Sequence, residues 1–540
     1  LHRRRHSFPT RRSSDLTFTA EQFEEAGDWL QDNVVPDGQP ISCFLGFIHD
    51  SKEGLVEARS ETAWLSMLGG GVSIFPSNRS PDEKSTGVMS HMRGYDSDAL
   101  SYKQTEKRRG SISVYMDVDH PEILSFLGMR DPVGGDANKK CFNLNNAVNL
   151  PDWFMEAMVK GEKYELVDPK HGNTGTMLDA REVWEKILEM RWQTGEPYLH
   201  FIDRTNGNLP AWITKPTYNV RQSNLCSEIT LMTSAKRTAV CCLSSLNLEK
   251  FDEWKDTQIV EDLIRYLDNV LEYFVRLAPK VLSRAVYSAG KERAIGLGTL
   301  GFHSYLQSKM IPFESSGHGG AVSENYKIFS LIKERAVASS KQLASERGEA
   351  PDCRGSGMRN SHLLALAPNA SSSDFVGTSP SIEPLSSNGF MSEGRAGAFL
   401  YKNKWLSKLF DEKGINNRET WDKVILNEGR VTGIDELSEF EKSVFVIAED
   451  IKPEWIIEHA ATRQPFICQS QSLNVFFSTP TVGKLTTAHT LAWKLGLKTG
   501  QYYLRSQSVD NKAKHLAIDM DTTKIEKPTD SQFECFGCSS

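Results

Sequence analysis

The stretch Gln39–Gly71, QPISCFLGFIHDSKEGLVEARSETAWLSMLGGG, reads in three parts. Residues 39–50 form an apolar run rich in β-formers, which predicts a strand. Asp50 and Ser51 follow as an N-cap pair, KEGLVEARSETAWLSML is helical, and Gly69-Gly70-Gly71 stops it. Strand, helix and glycine turn together make the unit from which parallel sheets are built.

The alternation continues downstream. REVWEKILEMRW (181–192) and VEDLIRYLDNVLEYFVRLA (260–278) carry apolar residues at i, i+3 and i+4, and ENYKIFSLIKERAVASSKQLASERG (324–348) ends in a glycine stop. All three read as core-facing helices. AVCCLSSLNL (239–248) is an apolar run that predicts a buried strand beside the segment RQSNLCSEIT (221–230), TTAHTLAWKLGLKTG (486–500) a helix closing at Gly500, and QYYLRS (501–506) a short strand. The pattern is α/β with a substantially parallel sheet.

Composition bounds the rest. With 540 residues, 39% hydrophobic and 25% charged, 26 Phe and 11 Trp, the chain is globular, which excludes a mostly disordered or fibrous protein. No apolar run approaches about 18 residues, so no spanning helix is expected, and the cytoplasm is the expected compartment. Nine cysteines, an odd number spread thinly, are no disulfide scaffold, and a formal charge of −7 argues against binding a nucleic-acid backbone. Residues 1–16, LHRRRHSFPTRRSSDL, are basic and aperiodic, and His6 to Leu16 resemble the translation of a common sequencing-library adapter. They are set apart as an artefact. Residues 17–39 read as the remnant of an N-terminal helical region and 40–506 as one catalytic unit. In 507–540 aromatics thin out, and a flexible tail is expected.

The chemistry gathers in a few constellations. In an extended RQSNLCSEIT, residues two apart share a side, so Asn224, Cys226 and Glu228 would bring an amide, a thiol and a carboxylate to one surface. In isolation the motif also fits a half-buried strand with a structural cysteine. Cys241 and Cys43, the latter in ISCFL, each read alone as core packing, although cysteines from separate strands could meet in one barrel. Cys535 and Cys538 lie in the tail, where cysteines have no packing role, and form either a thiol–disulfide pair or half a zinc site. The absence of a second CxxC from the sequence favours redox. PNASSS (368–373) offers hydroxyls and backbone N–H groups, suited to a phosphate or simply to a polar loop. Gly69 to Gly71 would let a ligand approach the backbone, or would only stop a helix.

RQSNLCSEI, VCCLSSLNL, ISCFL, PNASSS with SIEP after it, QSQSLN, LKTGQYYLR and the tail CFGC follow one another in the order and spacing of a known family. The chain resembles, from Ile41 to its end, the large catalytic subunit of class I ribonucleoside-diphosphate reductase. The resemblance implies a ten-stranded α/β barrel of two five-stranded parallel halves, with a finger loop bringing Cys226 to its centre. It implies that Cys226 becomes a thiyl radical, Glu228 takes the 3′-hydroxyl proton, and Asn224 holds the ribose. Cys43 and Cys241 would be the reducing pair, re-reduced by Cys535 and Cys538, which pass oxidising equivalents to thioredoxin or glutaredoxin. Tyr502 and Tyr503 would relay the radical from a small subunit whose metal cofactor generates it, so no cofactor is expected in this chain. Ser42, Gly70, Pro368, Asn369, Ala370, Ser371, Ser372 and Ser373 would bind the ribonucleoside diphosphate. Asp50, Arg79 and Arg108 would bind a dNTP or ATP effector at a homodimer interface.

The effector loop QTEKRRGS (104–111) departs from the family's glycine-rich form, and Cys468 stands where an acidic residue is common. The family's N-terminal ATP-binding region has no counterpart here, which truncation at residue 16 explains as easily as real loss does. Two other readings stay open: an adenosylcobalamin-dependent reductase, which needs no tyrosine relay, and a nucleotide-binding paralogue without catalysis.

Overall fold

In the computed structural model, which describes residues 40–102, 110–394, 397–477, 479–501 and 504–505, the opening strand is Cys43–Ile48 (β1). Ser51 caps the helix Lys52–Met67, its hydroxyl accepting from Gly54 N at 3.0 Å. Gly69, at a φ of +89°, ends the turn, and Gly71–Pro76 (β2) runs parallel to β1. The opening stretch thus folds as its three parts predict.

The unit then repeats. Helix Gly87–Ser101 leads to Ile112–Asp117 (β3), and a short helical stretch leads to Leu144–Asn149 (β4). Helix Ala180–Thr194 leads to Tyr198–His200 (β5), and β2 to β5 pair in sequence, all parallel. Ala239–Asn247 (β6) lies antiparallel to β1, and Ile295–Leu300 (β7) lies parallel to β6. Thr499–Gln501 (β8) lies antiparallel to β5, giving one eight-stranded sheet in the order β8-β5-β4-β3-β2-β1-β6-β7. Beyond β7, Leu297 bridges in parallel to Leu364, and Leu366 bridges in parallel to Gln471. The Thr499 hydroxyl of β8 donates to Gln471 O at 2.9 Å and lies 3.0 Å from the Ser470 hydroxyl. Among the described residues the sheet thus has eight regular strands, short of the ten that the resemblance implies, and the segments around 364–366 and 470–472 hold on by single bridges.

Both faces of the sheet are buried. Alternate residues, among them Phe44, Ile74, Val114, Val148, Leu199, Val240 and Leu297, pack on the outer helices in the main core. The residues between them point inward and form two smaller groups, one of Phe47, Phe75, Tyr115, Ala147 and Tyr198, the other of Leu45, Ala239, Cys241 and Ala294. Strands covered on both faces read as continuous apolar runs, as β1 and β7 do.

Outside β6 and β7, helices Ile259–Leu277 and Ala321–Arg347 pack together. Asp268, fully buried on the first, accepts from Arg293 Nη2 and Arg347 Nη1 at 2.9 Å and from Arg359 Nε at 3.3 Å. Burial works against its charge, yet the guanidinium groups of Arg293, Arg359 and Arg347 hold Asp268 below its ordinary value. That hub ties the entry of β7 to the chain that leads into 363–366.

Two boundaries differ from the sequence reading. The helix expected over 486–500 is Val482–Lys494 and closes at Gly496, with φ of +80°, while Gly500 sits inside β8. The strand expected over 501–506 divides: Gln501 ends β8, and Leu504–Arg505 pairs in parallel with Val475–Phe476. Among the described residues no helix is long and apolar enough to cross a membrane.

Gly298 of β7 lets the segment at 363–366 approach. A Cβ there would lie 2.6 Å from Ala365 O, a backbone atom that cannot swing away. Gly298→Ala should therefore cost about 1–3 kcal/mol of stability, as overpacking does, and should lower the thermal midpoint. An unchanged midpoint would show that the bridged segment is not held at this distance.

Candidate active site

A loop enters the inner face of the sheet. Val220 and Met232 bridge antiparallel at its base, and the chain between them runs among the inward side chains of β1 to β5. The extended geometry expected for 221–230 is absent. Residues 224–227 make a turn instead, with Ser227 N donating to Asn224 O at 3.1 Å and Ser227 in the left-handed region at a φ of 69°. That conformation is unfavourable for a side chain larger than glycine and persists only where its surroundings over-determine it.

The surroundings do so by answering the loop's polar groups. Gln222 Nε2 donates to Gly46 O of β1 at 2.6 Å, and Tyr115 OH of β3 donates to Asn224 O at 3.1 Å. Ser223 Oγ donates to Ile229 O at 2.8 Å, and Ile229 N donates to Asn224 Oδ1 at 3.0 Å. From the far side, Ser470 N donates to Glu228 O at 2.8 Å, while Ser472 Oγ donates to Cys226 O at 2.5 Å and contacts Glu228 Oε2 at 3.1 Å. Asn224 also hydrogen-bonds the Glu228 carboxylate. The turn therefore brings Asn224 and Glu228 together by contact, where the sequence reading had them aligned along a strand. Cys226, 6% exposed, packs among Phe47, Phe75, Tyr115, Ala147 and Tyr198.

Burial sets the charge states. Loss of water pushes Glu228 up to about 7, opposed by hydrogen bonds from Asn224, from its own backbone N–H and from Ser472. Burial, followed by the Glu228 carboxylate, pushes the Cys43 thiol up to about 12, with Ser42 and Asn224 opposing. Burial also drives Cys241 well above its ordinary value and raises Tyr115.

Cys43 and Cys241 face one another. In the antiparallel β1–β6 pairing they are direct partners, followed by Phe44 with Val240 and Leu45 with Ala239. Opposed residues in such a ladder have Cα atoms roughly 4.5–5.5 Å apart, within the ~4.4–6.8 Å span of a disulfide. Both thiols are free here. The neighbouring Cys242 belongs to the opposite face, in the outer core, so the period-2 pleat distinguishes two adjacent cysteines. The strand partner of β6 is thus β1, not the 221–230 segment.

The other expected residues fall as follows. PNASSS opens a short helix: Asn369, at a φ of 54°, precedes Ala370–Val376. Asn369 Oδ1 accepts from Ser245 Oγ of β6 and its Nδ2 donates to Thr299 O of β7, both at 3.1 Å, so Pro368–Ser373 lies at the C-terminal ends of those strands. Ser371 and Ser372 are exposed, and the Ser373 hydroxyl is committed to Ala370 O. Ser42 is exposed beside Cys43. Gly70 has a packing reason, because a Cβ there would meet the Phe44 ring at 2.8 Å. Asp50 and Arg79 pair at 2.6 Å, and Arg79 also binds Asp82 at 2.7 Å. Arg108, Tyr502, Tyr503, Cys535 and Cys538 lie outside the described residues. Among the described residues no group of three or more His, Cys, Asp or Glu could hold a metal ion.

Sequence reasoning missed the roles of Gln469, Ser470 and Ser472, buried partners of the loop, although QSQSLN stood among the quoted motifs. A polar run between apolar neighbours was the available signal. Cys468 gains an account: its sulfur accepts from Leu363 N at 3.0 Å and Leu364 N at 3.1 Å, pinning the two bridged segments together.

The model of the family described as "Ribonucleotide reductase, barrel domain" matches residues 41–356 and 351–503. A chain of Frog virus 3 (isolate Goorha) assigned as a ribonucleoside-diphosphate reductase large subunit is 45% identical over 482 residues, covering 88% of this chain and 84% of that protein. The ribonucleoside-diphosphate reductase large subunit of Invertebrate iridescent virus 3 is 41% identical over 532 residues, covering 87% and 84%. Among solved structures, the Actinobacillus ureae class Id ribonucleotide reductase alpha subunit superposes with a TM-score of 0.78 at 34% identity, covering 89% of this chain and 86% of that one.

The raised Glu228 carries a stability signature. Between the ordinary glutamate value and about 7 the folded chain holds a proton that the unfolded chain has lost, so stability falls as pH rises through that window. Glu228→Gln removes this share of the fall. Thermal melts should show the variant gaining on the native chain from pH 5 to pH 8, by on the order of 1–3 kcal/mol. Parallel curves would mean that Glu228 is not the buried acid described.

Proposed function

The chain belongs to the ribonucleotide reductase large-subunit family, and on that premise we propose that Cys226, Glu228, Asn224, Cys43 and Cys241 carry its chemistry. The enzyme reduces ribonucleoside diphosphates to 2′-deoxyribonucleoside diphosphates, the precursors of DNA. The observation that carries the assignment of residues is the direct opposition of Cys43 and Cys241 beside a buried loop that presents Cys226 and Glu228.

In this reading the oxidising equivalent comes from the metal cofactor of a partner small subunit and reaches Cys226 through Tyr502 and Tyr503. The Cys226 sulfur takes the 3′ hydrogen of the ribose while Glu228 receives the 3′-hydroxyl proton. Asn224, bonded to Glu228 and to the loop backbone, keeps the carboxylate and the ribose in register. The 2′-hydroxyl leaves as water, Cys43 and Cys241 supply two electrons and two protons as they join in a disulfide, and Cys226 returns hydrogen to C3′. The balance is one diphosphate and two thiols giving one deoxy product, one disulfide and one water.

Cys535 and Cys538 then reduce the disulfide by exchange and are themselves re-reduced by thioredoxin or glutaredoxin. Pro368–Ser373 suits the diphosphate, since the first N–H groups of a helix have no intrahelical partner and exposed hydroxyls stand beside them. Ser42 and Gly70 flank the entrance of β1 and β2. Asp50, Arg79 and Arg108 would receive a dNTP or ATP effector across a homodimer, the Asp50–Arg79 pair opening to do so. We place this activity in the cytoplasm.

The test is reduction of a ribonucleoside diphosphate by the large chain with its small subunit and a dithiol. Cys226→Ser should abolish turnover, as should Tyr502→Phe or Tyr503→Phe, while substrate still binds. Because Glu228 must be ionised to accept a proton, kcat should rise with pH around a midpoint of about 7. Full activity in either tyrosine variant would remove the relay, and turnover with adenosylcobalamin alone would move the chain to that class. Effector binding with no turnover under any condition would indicate a paralogue without catalysis.

A further inference from the structure

The buried Cys241 sulfur receives one side-chain donor, Gln469 Nε2 at 3.3 Å. Gln469 is fully buried, and the same amide nitrogen donates to Ile295 O, the first residue of β7, at 3.1 Å. Its Oε1 accepts from Thr230 N on the returning limb of the loop, at 3.2 Å. One side chain thus touches the β6 thiol, the start of β7 and the loop that carries Cys226 and Glu228. All three contacts fix the amide plane, so the N–H toward Cys241 is aimed before any chemistry begins.

The two facing cysteines are unequal. Cys43 is only half-buried, whereas Cys241 is 2% exposed. When their disulfide is reduced, an incoming thiolate can reach the Cys43 sulfur more readily than the Cys241 sulfur. Attack there forms a mixed disulfide on Cys43 and expels Cys241 as a thiolate. The second thiol of the dithiol, as thiolate, then attacks the sulfur bonded to Cys43 and releases it. The dithiol leaves as a disulfide, and its two protons finish on Cys43 and Cys241. The hard moment is the departure of Cys241, a negative sulfur formed without water and in the presence of the Glu228 carboxylate, whose charge also works against it.

We propose that Gln469 is a positioning residue for this half of the cycle, its amide holding the Cys241 sulfur in place and stabilising it as the leaving thiolate. The inference rests on Cys43 and Cys241 being the reducing pair. Burial disfavours the Cys241 thiolate most, and the hydrogen bond from Gln469 opposes it. Hydrogen delivery to substrate and re-reduction of the pair therefore become separable: the first begins from neutral thiols, and the second needs the amide.

Gln469→Met, similar in shape but without the donor, tests this with the large chain and its small subunit. The pre-reduced variant should give the same yield of deoxy product per site in a single turnover without added dithiol. Re-reduction of its disulfide by dithiothreitol should slow at least tenfold, while the dithiol–disulfide equilibrium of the large chain in a redox buffer at neutral pH should stay within twofold of native, because both thiols are neutral in the reduced pair. Gln469→Glu keeps an acceptor for Thr230 N but sets a carboxylate beside the sulfur. It serves where the Met variant is unstable, and its re-reduction should fall further behind the native rate as pH rises. Re-reduction rates within twofold of native in both variants would overturn the proposal. If the native enzyme turns over without joining Cys43 to Cys241, the assignment of the pair falls first and the role of Gln469 falls with it.

Discussion

A loop buried inside a sheet must find a partner for each backbone N–H and C=O that it takes out of water, because an unanswered group costs about as much as a lost hydrogen bond or more. Loops are ordinarily exposed for this reason. Here the requirement organises the interior. Gln222 reaches the β1 backbone, Tyr115 reaches in from β3, and Ser470 and Ser472 answer from the second bridged segment. The inward faces of distant strands are therefore coupled through a turn of four residues. The left-handed Ser227 is tolerated because these partners leave it no alternative.

The second organising feature is the seam where two parallel runs meet head to head. A purely parallel ladder would stagger its residues along slanted hydrogen bonds, but the antiparallel step from β1 to β6 sets residue against residue. It does so near the start of both strands, so Cys43 and Cys241 face each other beside the loop. The same pleat that presents Cys241 inward turns Cys242 to the helices, where burial raises its thiol to about 12 and it packs as a small apolar residue. Two adjacent cysteines with similar sequence surroundings are thereby set on opposite faces by periodicity alone.

This explains what the amino-acid string disclosed and what it withheld. Local order was legible where a residue's own chemistry decides it: Ser51 as a cap, Gly69 as a stop, the apolar spacing of 260–278, the alternation of strand and helix. The N-x-C-x-E grouping was legible as a set but not as a shape, since an isolated segment of that composition has no reason to leave the extended form. Only contacts from β3 and from 470–472 impose the turn. PNASSS turned out helical because Asn369 adopts the left-handed conformation while bonded to β6 and β7, contacts between residues more than sixty positions apart. Gln469 looked like one amide in a polar run until the fold set it against a sulfur 228 residues away.

The electrostatics of the interior follow from the same exclusion of water. The Cys43 and Cys241 thiols, Tyr115 and Glu228 are all shifted toward their neutral forms, with burial the leading cause for each. A neutral, low-dielectric chamber is a poor place for ions to form by accident and a good one for hydrogen-atom transfer, which moves no net charge. Glu228 is the exception that the design permits. Its opposing hydrogen bonds from Asn224 and Ser472 leave it near 7 rather than far above, so one base can ionise close to neutral pH while the surrounding thiols stay protonated. A more exposed Glu228 would raise Cys43 less by its charge, but it would stand in water. A more deeply isolated one would hold its proton at neutral pH. The contacts that let the loop's backbone be buried are thus the contacts that tune its carboxylate, and changing Ser472 or Asn224 would alter fold and proton affinity together.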